Sequence, residues 1–408
     1  MPTRMIASTP LYVHIGAGKL GLGLVVPAIM SAPGRRLMIF NRASRNWHHQ
    51  LLLERRSYRI SENGEENKLI DGFDYVLGAS EDQFAETCAS TANVIITTAV
   101  GDGLPEVARH LAAAIERRAS KNVHGLLIVL PCENLPGIGG RLTGEILTRI
   151  SSQRIGNGAQ ESPMRNAMVL ETIVDRICTH IRDDHGEVVV QAEPACYATW
   201  SILDPRTAGA ESIYPHIESL GFVKILSEAD MDIAWRRKLW CFNGLHLAAA
   251  ARAHQAGIAP LHRVFEGEHL QRLRRLSHEL SLALQFYSWN KYRRDTHREN
   301  LKFSRLAMER IAANREDVPG RILRNLLDLE RIATTESVAP DEQLAIAAHQ
   351  MDSFLEKLQD RLGAPAQHLF LNARALSRRS AELQTGLHLL LCIKAMHRVF
   401  RSLKEARG

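Results

Sequence analysis

The chain has 408 residues, with 51 lysines and arginines against 45 aspartates and glutamates, and a formal net charge of +6 at pH 7. Its content of 45% hydrophobic and 24% charged residues is ordinary for a globular protein and excludes a mainly disordered chain. The length exceeds one ordinary core and predicts two domains.

The basic excess lies mainly in the second half, in runs such as RLRRLS and YRRDTHR. Acids and helically spaced apolar residues interleave with it, which favours solvated helix faces, or steering of an anionic ligand, over binding of nucleic acid. Six cysteines are scattered without a C-x-x-C pair, and neither a secretory leader nor a long charge-free apolar stretch is evident. We therefore expect a cytoplasmic protein that does not contact a membrane.

Short apolar runs alternate with helical patterns through the first half of the chain. Strands are expected over 11–15, 35–42, 93–100 and 125–134, with a helix over 104–119. This alternation predicts an α/β fold with a doubly wound, Rossmann-type parallel sheet. Beyond about residue 230 the spacing is helical almost throughout, so we expect an α/β domain over 1–195 and a mostly helical domain over 196–408.

The first expected strand runs directly into a glycine-rich turn, HIGAGKLGLG, with Gly16, Gly18 and Gly21 in G-x-G-x-x-G spacing. In a Rossmann unit the first glycine permits the tight turn, the second lets the backbone approach a pyrophosphate, and the third allows close helix–strand packing. The helix N-terminus then faces the anion. The alternative is a set of glycines that only makes a turn. We expect a dinucleotide site that also involves Lys19 and Leu20, which makes residues 1–195 the cofactor domain.

The end of the second expected strand reads IFNRAS and has no carboxylate. An NAD site normally places Asp or Glu there to hold the ribose hydroxyls. Arg42 can instead pair with the 2′-phosphate of NADP, and Asn41 and Ser44 can hydrogen-bond to it. This pattern favours NADP over NAD. The alternative is an exposed Arg42 and loose cofactor selectivity.

Three polar residues interrupt the apolar run KLWCFNGLHL at Lys238, Asn243 and His246. On a regular α-helix, at about 100° per residue, they share one broad face. A single lysine usually reaches solvent and a single histidine is usually a hydrogen-bonded core residue. Three buried polar groups on one face each need a partner, which favours a site.

These residue types suit alcohol oxidation or carbonyl reduction beside a nicotinamide. When hydride leaves the carbinol carbon, the hydroxyl must lose its proton to a base, and amide donors can stabilise the developing alkoxide. A lysine and an asparagine supply both groups. The sequence has no H-E-x-x-H, no cysteine pair and no compact His/Asp cluster, so no metal is expected.

Taken together, the motifs resemble the polyol-specific long-chain dehydrogenases, the family of the mannitol dehydrogenases. KLWCFNGLH matches the family's K-x-x-x-x-N-x-x-H signature, and GAGKLGLG resembles its glycine turn. Three further segments follow in the family's order: TTAVG (97–101), CENLPG (132–137) and VLETIVDRI (169–177). TTAVG resembles a cofactor-contacting strand end, which implies cofactor contacts by Thr98 and Val100.

The resemblance also implies a role for each polar residue of the site. Lys238 would be the general acid/base, Asn134 and Asn243 would form an oxyanion hole, and His246 would hydrogen-bond to a substrate hydroxyl. Position 175, an aspartate in the V-D-R segment, would line the polyol pocket.

Arg176 and Arg324 are the other residues that the resemblance assigns to substrate binding. For Asp175 and Arg176, an internal ion pair is an open alternative. The family's C-terminal basic segment corresponds here only to RILRNLLDLERI (321–332), in which Arg324 matches but Asp328 and Leu329 do not. A phosphate-bearing substrate therefore stays open, since Arg321, Arg331 or Lys302 can take the missing positive charges.

The resulting hypothesis is an NAD(P)-dependent oxidoreductase with its site between the two domains. It would transfer hydride to or from a secondary alcohol or ketone of a polyol, sugar acid or sugar phosphate. Alternatives are an opine- or hydroxy-acid-type dehydrogenase acting on a keto acid, and a redox-inactive dinucleotide-binding regulator. The expected partner is a small-molecule substrate, and no oligomeric state is predicted.

Overall fold

The computed structural model describes residues 9–62, 68–133, 135, 137–153, 164–315, 317 and 318. The chain divides into two compact units between Met231 and Asp232. The sequence placed the division after residue 195. The difference arises because the strand at Thr199–Leu203 pairs with the strand at Thr172–Asp175, which ties the following residues to the first unit.

Thirteen strands are present in the described part of the first unit. In chain order they are β1 Leu11–Ile15, β2 Arg36–Asn41, β3 Tyr58–Glu62, β4 Lys68–Ile70, β5 Phe73–Leu77, β6 Val94–Thr98, β7 Leu127–Pro131, β8 Ala167–Val169, β9 Thr172–Asp175, β10 Cys178–Asp184, β11 Glu187–Ala192, β12 Thr199–Leu203 and β13 Val223–Leu226.

The α-helices are α1 Val26–Ile29, α2 Trp47–Arg55, α3 Glu81–Ala89, α4 Leu104–Ser120, α5 Ile138–Gln153, α6 Tyr214–Glu218, α7 Glu228–Arg236, α8 Leu245–Gln255, α9 Gly267–Tyr292 and α10 His297–Ala313. Two stretches are π-helical: the first π segment, Gly21–Val25, runs into α1, and the second π segment, Arg237–Gly244, joins α7 to α8. None of the described helices is both long and apolar enough to cross a membrane.

The main sheet of the first unit is fully parallel, with strand order β5-β2-β1-β6-β7-β8. Numbered within this sheet alone, the order is 3-2-1-4-5-6, the Rossmann arrangement. The chain reverses direction across the sheet between β1 and β6, where such folds bind ligands at the carboxyl ends of the strands. The predicted Rossmann-type fold and the four predicted strands are confirmed.

Side chains that alternate along the strands pack into two apolar layers, one on each face of the sheet. Tyr12 and Ile95 face a layer that includes the first π segment and α1. Val13 and Ile96 face the opposite layer, which includes residues of α3, α4 and α5. Strands buried on both faces become near-continuous apolar runs, which is why β1, β6 and β7 were evident in the sequence.

Two smaller sheets complete the first unit and were not predicted as sheets, although the sequence is strand-like over 187–203, which contains β11 and β12. One has the order β10-β11-β3-β4 and the other β13-β12-β9. Several of their other strands are short or carry many charges, as in KLI and CTHIRDD, so the sequence gives those strands only a weak β pattern.

The described part of the second unit is helical, as expected, and surrounds the second π segment with α8, α9 and α10. Buried and partly buried polar contacts fix this packing. The Arg237 Nε donates to Asn300 Oδ1 at 3.0 Å, and the Thr296 N–H donates to Gln285 Oε1 at 2.7 Å. The hydroxyls of Ser281 and Ser304 lie 2.6 Å apart between α9 and α10.

Candidate functional site

The three motif glycines have different structural roles. Gly16 has φ +106°, and a Cβ there would lie 2.5 Å from the Ala99 carbonyl oxygen. A Cβ on Gly21 would overlap the Gly16 carbonyl oxygen and His14 Nε2. A Cβ on Gly18 would meet nothing within 4 Å. The first and third glycines are therefore required by packing, whereas Gly18 presents an open backbone surface that an anion can approach.

The residues between the glycines begin the first helix. The Leu22 N–H donates to the Gly18 carbonyl oxygen at 3.0 Å. Lys19 is exposed, and its Nζ donates to the Thr179 carbonyl oxygen at 3.0 Å. Leu20 is partly buried against the apolar layer on this face. The turn therefore combines open glycine backbone with a lysine ammonium, which suits a pyrophosphate.

His14 lies beneath this turn and is fully buried on β1. Its Nδ1 lies 2.8 Å from the Thr97 hydroxyl, and its Nε2 has no hydrogen-bond partner among the residues that the structure describes. Burial lowers the pKa of His14 to about 4, so the ring is neutral at neutral pH. Its position against Gly21 explains why the third glycine cannot carry a side chain.

Asn41 and Arg42, the two residues expected to contact the adenosine end of the cofactor, have different environments at the end of β2. The Asn41 Nδ2 lies 3.0 and 3.1 Å from the ring nitrogens of His49, whose Nδ1 lies 2.9 Å from the Tyr75 hydroxyl. Burial, with smaller effects of His48 and Arg42, lowers the pKa of His49 to about 4. The Asn41 amide is thus oriented by neighbouring side chains, while Arg42 is exposed.

The end of β6 carries Thr98 and Val100 and is held by a carboxylate that was not among the predicted site residues. The Thr98 hydroxyl lies 2.9 Å from both oxygens of Glu133, and the Val100 N–H donates to Glu133 Oε1 at 3.2 Å. Glu133 is only 5% exposed, and burial raises its pKa. The sequence signal for it was a charged residue at the carboxyl end of the predicted strand 125–134, two positions after the last residue of β7.

Arg176 is directed into the first unit. Its guanidinium lies 2.6 Å from the Glu62 carboxylate and donates to the carbonyl oxygens of Gly23 and Glu193. Protein acceptors thus engage all three guanidinium nitrogens, and the internal ion pair is with Glu62, whereas the sequence left open an ion pair of Asp175 and Arg176 on a helix terminus. Asp175, the last residue of β9, is buried and pairs in register with Thr199.

The second π segment changes the relation between Lys238 and Asn243 that a regular α-helix implies. In a π-helix the hydrogen-bonded partner on the next turn is five residues away, whereas in an α-helix it is four away. Residues 238 and 243 are separated by five, so their backbones lie on successive turns. The α-helical expectation was wrong for this segment, and the structure brings the two residues closer in angle than the sequence implied.

The side chains of this motif are largely buried. Lys238 is 7% and His246 6% exposed, while Asn243 is partly exposed. The Lys238 Nζ lies 5.4 Å from the centre of the Trp235 ring. His246, in the first turn of α8, has its Nε2 2.7 Å from Asp317 Oδ2. Asp317 was missed because nothing in the sequence links it to a histidine 71 positions away.

Two predicted site residues, Asn134 and Arg324, lie outside the described residues. Within the part of the chain that is described, no group of three or more His, Cys, Asp or Glu side chains is placed to hold a metal ion.

Comparison with known proteins agrees with this arrangement in the first unit. Residues 11–213, about half of the chain, match the family model described as mannitol dehydrogenase Rossmann domain. The chain belongs to a mannitol dehydrogenase-like family. The match of this mannitol dehydrogenase-like domain runs past residue 195, as does the first compact unit. It supports NAD or NADP as the cofactor class without distinguishing the two.

A curated relative, mannitol-1-phosphate 5-dehydrogenase of Enterococcus faecalis, is 25% identical to the mannitol dehydrogenase-like chain over 241 residues. The alignment covers 58% of this chain and 57% of that protein. The chain thus matches the relative over little more than half of its length.

Two solved structures show a more distant likeness to the mannitol dehydrogenase-like chain. A 2-dehydropantoate 2-reductase from Porphyromonas gingivalis W83 is 15% identical, with a TM-score of 0.41, and covers 78% of this chain and 99% of its own. An octopine dehydrogenase solved with NADH and agmatine is 9% identical, also with a TM-score of 0.41, and covers 75% of this chain and 74% of its own.

Proposed function

We propose that the protein is an NAD(P)-dependent dehydrogenase that interconverts a secondary alcohol and a ketone on a polyol, sugar acid or sugar phosphate. The family match and the glycine turn support the cofactor class. The observation that carries the proposal is the second π segment, which sets Lys238 and Asn243 on successive turns with His246 three residues further on. A π-helical segment often marks a functional site, and this one carries a buried lysine, with an amide and an imidazole close to it in the sequence.

Lys238 is proposed to exchange the proton of the reacting hydroxyl. Bound NAD(P)⁺ supplies the hydride acceptor, and NAD(P)H the donor in the reverse direction. In oxidation, the neutral amine of Lys238 accepts the hydroxyl proton as the C–H electron pair leaves as hydride, so the alcohol becomes a ketone. In reduction, the ammonium returns the proton to the carbonyl oxygen.

The amides are proposed to stabilise the oxygen while it carries negative charge. The Asn243 side-chain N–H donates to this oxygen, and the family resemblance supplies Asn134 as a second donor. Such a donor commonly lowers the activation barrier by about 2.7–4 kcal/mol. His246 holds a neighbouring hydroxyl, which fixes the carbon from which hydride departs. Asp175 remains the proposed contact for further hydroxyls.

Gly16, Gly18, Gly21 and Lys19 are the residues that would hold the cofactor pyrophosphate. The fit rests on the open backbone at Gly18 and on the positive charge of the exposed residue Lys19. Arg42 is exposed at the end of β2 and would hold a 2′-phosphate, which makes NADP the proposed cofactor and NAD the second choice.

The test is a fluorescence titration of the purified chain with NADPH and with NADH. Ketoses, sugar acids, sugar phosphates and keto acids with and without an amine are then added, and oxidation of the cofactor is followed. Tighter binding of NADPH with turnover of one ketose class supports the proposal and names the substrate. Turnover only with a keto acid and an amine would replace it with an opine-type reaction. Cofactor binding without turnover of any of these compounds would favour the redox-inactive dinucleotide-binding regulator.

A further inference from the structure

We propose that Asp317 is a positioning residue that fixes the imidazole of His246 for substrate binding; this inference rests on the proposed function. The two side chains are joined by the 2.7 Å contact between His246 Nε2 and Asp317 Oδ2. His246 is 6% exposed and Asp317 is fully buried. A buried carboxylate is costly unless it is paired, so this contact is a strong constraint on both groups.

The chemistry of the contact determines where the histidine proton lies. A carboxylate oxygen only accepts hydrogen bonds, so the nitrogen facing Asp317 must carry the hydrogen. In neutral His246 this is Nε2–H, which makes Nδ1 the acceptor nitrogen. An acceptor at Nδ1 suits a substrate hydroxyl, since the hydroxyl can donate its proton there while its own oxygen accepts from elsewhere.

Asp317 is itself held in place by the backbone. Its carbonyl oxygen accepts the Leu261 N–H at 3.0 Å, so the Asp317 backbone is tied to Leu261, which follows α8 in the chain. The His246 ring is packed edge-on against Phe242, with ring centres 5.7 Å apart, and the Arg310 guanidinium lies 4.3 Å from the Phe242 ring centre. Packing therefore restricts the tilt of the imidazole, while Asp317 restricts its rotation and tautomer.

A role in positioning predicts a particular pattern of kinetic effects. Asp317 does not touch the reacting atoms, so its loss acts through His246 and falls mainly on sugar binding. Replacement by asparagine keeps the shape of the side chain but offers an amide N–H, which favours the opposite tautomer of the histidine. The Michaelis constant for the sugar then rises by about 10- to 100-fold, as for partners that orient metal-bound imidazoles. The dissociation constant for NAD(P)H stays within about twofold.

The experiment compares full-length D317N, H246Q and the double variant D317N/H246Q, with E309Q as the matched control. Glu309 is an exposed carboxylate on α10, in the same unit. For each variant, kcat and KM for the ketose, the NAD(P)H dissociation constant and the melting temperature are measured. If Asp317 acts through His246, the double variant is no worse than H246Q alone, and E309Q resembles wild type. Additive losses in D317N and H246Q, or an unchanged KM in D317N, would overturn the proposal.

A readout without substrate separates this inference from the proposed function. In a wild-type protein labelled with ¹⁵N-histidine, the resonances missing from H246Q identify His246, and long-range ¹H–¹⁵N couplings report its tautomer. We expect Nε2–H in wild type and a shift towards Nδ1–H in D317N. An Nδ1–H form in wild type would overturn the proposal even if D317N does not fold. If the protein turns over no ketose but His246 carries its hydrogen on Nε2, the proposed function is contradicted, while the pairing of Asp317 with His246 is still supported.

Discussion

Lys238 is the residue on which the proposed chemistry depends most. Replacement by alanine removes the proton acceptor, and we expect turnover at neutral pH to fall by at least about 10²-fold. Fluorescence titration should give an unchanged NAD(P)H affinity, because the glycine turn lies in the other unit. Lys224→Ala, which removes an exposed lysine, serves as control. Loss of cofactor binding in Lys238→Ala would assign this lysine to the cofactor instead.

Arg42 tests the choice of cofactor. Loss of one charge-assisted hydrogen bond to the 2′-phosphate, worth about 1.5 kcal/mol, should weaken NADPH binding in Arg42→Ala by roughly tenfold. NADH, which lacks this phosphate, should bind as before. Arg45→Ala removes an exposed arginine three positions away and controls for the general change in charge. Equal weakening of both cofactors in Arg42→Ala would contradict a phosphate contact.

The glycine turn behaves as one element in which packing and binding can be separated. Gly21→Ala forces a Cβ into the Gly16 carbonyl oxygen and the His14 ring, so we expect a loss of about 1–3 kcal/mol in the free energy of unfolding. Gly18→Ala meets no neighbour, so its stability should stay near wild type while NAD(P)H binding weakens. Thermal unfolding and cofactor titration of both variants distinguish the two effects. A stable Gly21→Ala protein would show that the helix can move away from β1.

The elements that could be predicted were those whose local pattern is unambiguous. Apolar runs identify the buried strands β1, β2, β6 and β7 in the sequence, and the spacing of the glycines identifies the turn. The second π segment could not be predicted, because π and α helices differ in one hydrogen-bond step that composition does not encode. β3, paired with β11, gave no local signal either, since its partner lies far along the chain.

The same limit applies to the candidate site. Motif spacing brought together Lys238, Asn243 and His246, which the structure keeps on one continuous helical stretch. Motif spacing could not identify Glu133 or Asp317 as hydrogen-bond partners of site residues. These hydrogen bonds form only when segments distant in the sequence come together in the fold. Nor could motif spacing decide that Arg176 points inward to Glu62. Residues that act through neighbours are visible only in three dimensions.

For the molecule as a whole, the buried neutral His14 couples stability to pH. Its pKa of about 4 lies below that of an unfolded histidine, so between about pH 6.5 and 4 only the unfolded chain binds this proton. Stability is therefore complete above about pH 6.5 and falls as the pH is lowered, by about 3 kcal/mol in total from this group. His49, with the same pKa, adds its own loss.

His14→Asn tests this coupling, since an asparagine can replace Nδ1 in the contact with Thr97. Urea unfolding at about pH 7 and about pH 4.5 should show a smaller pH-dependent loss in His14→Asn than in wild type. The fully exposed His185 provides a control in His185→Asn, which should follow wild type. An identical loss in all three proteins would mean that His14 accepts its proton in the folded state.

The parallel pairing of β3 with β11 has a consequence for biosynthesis. β3 has β4 on one side and β11 on the other, and β11 leaves the ribosome roughly 130 residues later. At about 5–20 residues per second, the open edge of β3 waits for roughly 6–26 s. An unpaired strand edge invites pairing with other nascent chains. We expect translated chains stopped at Asp184 to sediment as aggregates more than chains stopped at Met231, and chaperones to bind the shorter product.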